Sequence, residues 1–136
     1  MKHIGILAVF GLVIMFFSAC GQKNNSEVGG QACLTEARKA FKSNDFSSAR
    51  NCIEKMRKEF PMSLNAREEG ILLLDSINLA EARVQLEVWQ EKMGQSGLSR
   101  ISQDTLSFNL DEAQQKVRFF EKKIEHDKTK VKHHED

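Results

Sequence analysis

The chain has 136 residues, 40% hydrophobic and 29% charged, with a formal net charge of +1. That length holds one domain, and so even a balance supplies none of the basic excess that a nucleic-acid binder usually carries on one face. One proline, no tyrosine and abundant Glu, Lys, Gln, Leu and Ala favour helix. No stretch alternates with the period of a half-buried strand, so the expected fold class is all-α.

Met1-Lys2-His3 is a short basic start, and Ile4 to Phe17 is an apolar run broken only by Gly5 and Gly11. Ser18, Ala19 and Cys20 follow. A charged start, a short apolar run and small residues at its end make a secretory signal. The run is shorter than the roughly 20 residues of a spanning helix. Phe17-Ser18-Ala19-Cys20 resembles the lipobox of bacterial lipoproteins, with Phe17 where that family most often has leucine. The resemblance implies that residues 1–19 are a signal peptide cut before Cys20. It further implies that the Cys20 thiol is diacylated, with the new amine acylated too, so that covalent lipid is the only attached group. Cleavage would leave 117 residues with 19 basic and 19 acidic side chains, because Lys2 alone of the basic residues is lost. Gly21, where aspartate would mark inner-membrane retention, resembles outer-membrane sorting. Gln22-Lys23-Asn24-Asn25 resembles, with amides for acids, a short surface-export tag. The expected location is the periplasmic face of the outer membrane.

Residues 20–31 are polar, contain Gly29-Gly30 and have no apolar period, so they read as a flexible tether. The helical domain is then expected over 32–124. Leu34, Ala37 and Phe41 form one apolar stripe at helical spacing. Ser43-Asn44-Asp45 is a turn, with Asn44 or Asp45 placed as N-cap. Phe46, Ala49, Ile53, Met56 and Phe60 make a second helical face, which Pro61 ends, and Ser63 can cap a third helix. That helix should run from about Leu64 into the low nineties, with Leu73, Ile77, Ala80 and Val84 as its stripe and Leu74 and Trp89 at its edges. Gly94 to Ser107, with two glycines and four serines, reads as the main break. Asn109 with Glu112 fits an N-cap and its partner at N3. Leu110, Ala113, Val117, Phe120 and Ile124 give the fourth stripe, and 125–136 should be a polar, fraying tail. A short antiparallel hairpin followed by two longer helices, paired as a coiled-coil-like hairpin, is the expected architecture.

The first hairpin and its following turn resemble one tetratricopeptide repeat over residues 33–80. Ala37 and Ala40 fit the small sites of the repeat's first helix. Asn44-Asp45-Phe46 is similar to its Gly-Asp-Tyr turn, Ala49 sits where a small residue is needed, and Pro61 falls where the repeat ends. Pro61-Met62-Ser63 with Ala66 resembles the repeat junction of small periplasmic helical repeat proteins, including the lipoprotein of the outer-membrane β-barrel assembly machine. Two features depart from the pattern: the early aromatic is replaced by Cys33 or Leu34, and no second repeat closes because Ile71 to Met93 reads through. The resemblance implies a scaffold presenting a helical surface to protein partners.

With Cys20 lipidated, Cys33 and Cys52 remain. In an antiparallel hairpin Cys33 should lie near Met56, one turn from Cys52, so they are either a disulfide or two buried thiols. His126, His133 and His134 cluster near acids, but a solvated tail explains them better than a metal site. Paired acids at helix starts complement the macrodipole. No phosphate loop, nucleophile elbow or metal-ligand pair is present, so no catalytic residue, metal or cofactor is expected. The expected function is a lipid-anchored, non-enzymatic helical adaptor that contacts an envelope protein, with Trp89, Met93 and Phe119 as candidate contacts, although packing at the edge of the core explains each of them better. A self-associating coiled-coil lipoprotein and a carrier of a small apolar ligand are the alternatives.

Overall fold

The computed structural model describes the backbone of residues 19–133 and the side chains of 25–130. Residues 1–18 of the expected signal peptide, the side chain of Cys20 and residues 134–136 lie outside these described parts. Four helices make up the described chain: α1 (Ala19–Lys42), α2 (Phe46–Glu59), α3 (Leu64–Met93) and α4 (Arg100–His133). The all-α class holds, and no helix among the described residues is long and apolar enough to cross a membrane.

The α1–α2 turn uses three residues for two caps. Asn44 has φ 59°, the left-handed conformation that asparagine tolerates better than most residues. It lets Asp45 N–H reach Ala40 O (2.9 Å) and Asn44 N–H reach Phe41 O (3.0 Å), a Schellman closure of α1. Asp45 then caps α2, its carboxylate accepting from Ser48 N at 3.0 Å. That backbone hydrogen bond holds the Asp45 carboxyl below its ordinary value of 3.8.

Leu34 and Ala37 of α1, Ala49, Ile53 and Met56 of α2, and Ala66, Leu73 and Ile77 of α3 form the buried core. The α1 and α2 stripes read from the sequence meet here, whereas of the expected α3 stripe Leu73 and Ile77 are buried, Ala80 is half-buried and Val84 is exposed. Small residues set the spacing: Gly70 lets Met56 lie where a Cβ would stand 2.6 Å from its methyl. Arg50 of α2 bridges Glu81 of α3 and donates to Asn78 Oδ1 at 2.6 Å, while Arg38 of α1 pairs with Glu69 of α3.

The segment expected as a tether is a correction. From Ala19 it is helical, and from Glu27 onward it is part of the packed domain. A Cβ at Gly29 would stand 2.2 Å from the Phe60 ring, and one at Gly30 1.8 Å from Ser63 Oγ. The two glycines therefore admit the α2–α3 turn against α1, where the sequence reading took them for flexibility. Ser63 occupies the N-cap of α3 but makes no side-chain cap bond. Its hydroxyl is buried without a partner. Glu27 of α1 caps α3 instead, accepting from Ala66 N at 3.1 Å, where a carboxylate also faces the positive end of the helix dipole.

Two boundaries shift at the other end. The break is Gly94–Ser99, and α4 begins at Arg100. Ser99 caps it through Ser102 N at 3.2 Å, so Asn109 and Glu112 lie inside a helix. Asp104, Thr105 and Leu106 carry no breaker, and a single cap with Gly97 at φ 84° makes the turn. The expected fraying tail from 125 onward is helical to His133.

As expected, α3 and α4 pair along their length. Asp75, buried in the interface, meets Lys123 Nζ at 2.5 Å. Lys123 also meets Asp127 at 2.7 Å, and Arg83 meets Glu121 at 2.8 Å. Its hydrogen bonds to Asp127 and Asp75 raise the Lys123 ammonium above 10.5, and the same Lys123 bond holds Asp127 below 3.8.

Candidate docking surfaces

At 14 residues α2 is about 21 Å long, whereas α3 at 30 residues is about 45 Å. The α1–α2 hairpin therefore covers only the first part of α3 and stops at Phe46, beside Val84. Beyond that point the apolar stripe continues without a cover. Val84 is 52% exposed and Val88 41%, and with Trp89 and Phe46 they line a shallow groove bounded by Glu81, Gln85 and Lys92. The Lys92 ammonium sits 4.5 Å above the Trp89 ring, a cation–π contact.

A second surface lies on α4. Ile101 is 81% exposed, Phe108 70% and Phe119 59%. Their spacings of seven and eleven residues place all three on one helical face. That face points away from α3, towards which Ala113 is buried. Phe119 also packs edge-on against Phe120, with ring centroids 5.1 Å apart.

The residues singled out in the sequence fall in different places. Cys20 belongs to the backbone of α1, with its side chain outside the described residues. Cys33 is buried in the core and Cys52 packs against it; both are free thiols. Burial is the largest influence on Cys33 and pushes its thiol above 9.0, so it carries little thiolate, the nucleophilic form. Trp89 and Met93 are half-buried on α3 and Phe119 is exposed on α4, so they do not form one patch. His126 is exposed and contacts Asp127 at 3.1 Å; the side chains of His133 and His134 lie outside the described residues. Among the described residues no three His, Cys, Asp or Glu side chains gather as a metal ion would need.

The sequence reading missed Val84 and Val88 as surface residues, because helical period cannot say how far a neighbouring helix reaches. It missed Ile101 and Phe108 because they fell in or beside the expected break, although their seven-residue spacing to one another was readable. Both surfaces set aliphatic and aromatic side chains among charged ones, Glu81 and Lys92 in the groove and the Glu112–Lys116 pair between Phe108 and Phe119 on α4, which suits another amphipathic helix. No family model, curated protein or solved structure matches this chain.

Proposed function

We propose that this protein is a lipid-anchored, non-enzymatic helical adaptor of a bacterial cell envelope, held by acyl chains on Cys20. Its helical hairpin is offered to a partner protein. The observation that carries the reading is the apolar line Ile101, Phe108 and Phe119 on the outward face of α4. Isolated apolar side chains are ordinary on a surface, but three large ones in register along one helix favour a contact. The lipobox-like Phe17-Ser18-Ala19-Cys20 supports the anchor, and the resemblance of the first hairpin to one tetratricopeptide repeat supports a scaffolding role.

A photo-crosslinking amino acid at Phe108, introduced into the full chain in its native envelope, tests the reading. It should capture one recurrent envelope protein, and the same probe at the exposed position Glu54 should not. Recovery of no consistent protein from Phe108 would remove the adaptor role.

A further inference from the structure

The groove on α3 has an internal symmetry. In chain order its α3 residues are Glu81, Val84, Gln85, Val88, Trp89 and Lys92. Read from either end, the pattern is a charge, an apolar residue, an inner pair, an apolar residue and a charge, and the two charges are opposite. An antiparallel copy of the same helix, related by a two-fold axis between Leu86 and Glu87, sets the outer charged and apolar residues opposite complementary mates. Glu81 meets the second copy's Lys92, Val84 meets its Trp89, and Gln85 meets its Val88. Because a two-fold contact is isologous, every such pair occurs twice.

We propose that a second copy of this chain docks in the groove, α3 against α3 and antiparallel. Three observations select that occupant over an unrelated helix. The charges at the two ends complement one another only when the second helix runs in the opposite direction. The apolar stripe of α3 is continuous with the face that the α1–α2 hairpin covers, so the second copy extends an interface that already exists within the monomer. Phe46, at the rim where α2 begins, lies beside Val84 and adds an aromatic wall for the incoming Trp89. Glu81 already binds Arg50, but a carboxylate can accept further hydrogen bonds, so it serves both contacts. The dimer contact spans about 16 Å of helix. The outward face of α4 lies on the other side of the hairpin and stays open, so the dimer would carry two adaptor faces. The dimer and the adaptor role therefore stand or fall separately.

Sedimentation equilibrium of the full chain in non-ionic detergent tests this. The protein should show a reversible monomer–dimer equilibrium. Lys92→Glu sets like charges opposite each other twice and should weaken the dimer about tenfold. Combining it with Glu81→Lys should restore affinity to within about threefold. Glu81→Lys also loses the Arg50 bridge, so circular dichroism must confirm its helix content. If that fold is lost, a register test replaces it. Val84→Cys combined with Trp89→Cys should form an intermolecular disulfide on mild oxidation by copper–phenanthroline, and neither single variant should. A strict monomer at all concentrations overturns the proposal. So does a dimer indifferent to Lys92→Glu, or crosslinking by Val84→Cys alone, which would mean a parallel contact.

Discussion

Gly30 and Ser63 pack against each other where α1 meets the start of α3, and their chemistry runs against the usual rules for their positions. Glycine inside a helix costs about 1 kcal/mol relative to alanine, so Gly30→Ala would ordinarily stabilise α1. Here the added methyl would stand 1.8 Å from Ser63 Oγ and 2.5 Å from its Cβ, and overpacking of that kind destabilises by about 2 kcal/mol. Serine at an N-cap is ordinarily worth about 1 kcal/mol over alanine. Ser63, however, has a buried hydroxyl with no hydrogen-bond partner, and removing it should leave stability unchanged or raise it by about 1 kcal/mol. Urea denaturation of Gly30→Ala and Ser63→Ala checks both signs. A stabilised Gly30→Ala or a Ser63→Ala that loses more than about 1 kcal/mol would contradict the packing described. Glu27→Ala should weaken the fold by about 1 kcal/mol, because α3 loses the acceptor that serves its Ala66 N–H.

At the scale of elements, the α3–α4 hairpin depends on a partly buried charge cluster. Lys123→Met keeps the apolar stem but leaves Asp75 in the interface without its ammonium partner, and should cost about 2 kcal/mol. The dependence on pH has a defined sign. The Asp127 carboxyl is depressed below 3.8 by Lys123, so its contribution is present above that value and lost as pH falls through its folded pKa. The Lys123 ammonium is raised above 10.5, first by Asp127 and then by Asp75, so its contribution is present below that value and lost as pH rises through its folded pKa. The stability gap between the native chain and Lys123→Met should stay level across the neutral range and narrow at both extremes. An equal gap at pH 3 and pH 7 would contradict this account of the cluster. Much at this scale was legible in the sequence, because the stripes of α1, α2 and α3 and the caps around Asp45 are local patterns. The tether was misread because Gly29 and Gly30 have one local signature, whereas their role comes from Phe60 and Ser63 some thirty residues away. The start of α4 was misread because serines and glycines near a turn do not say which of several caps is used. The α3 groove depends on where the α1–α2 hairpin stops beside α3, which no single stripe records, and the α4 line was hidden by the misplaced break.

On the scale of the whole molecule, the helical course of residues 19–31 changes what an anchor at Cys20 would do. A flexible tether would leave the domain free to turn, whereas α1 runs without interruption from Ala19 into the core. The domain would then be held close to the membrane in a restricted orientation, with the α3–α4 hairpin projecting from it. Deleting residues 21–31 should therefore lower stability by several kcal/mol, since it removes the Glu27 cap and the seats for Phe60 and Ser63; a neutral deletion would restore the tether reading. The central claim is that Cys20 carries the lipid that places this hairpin at a membrane. Intact mass spectrometry of the membrane fraction, compared between the native chain and Cys20→Ala, tests it most directly. The account predicts a native protein beginning at Cys20, heavier than its chain by the mass of its acyl groups and confined to membranes, with Cys20→Ala unprocessed or released. A native protein of unmodified mass, or a Cys20→Ala protein that matures and partitions as the native one does, would contradict it.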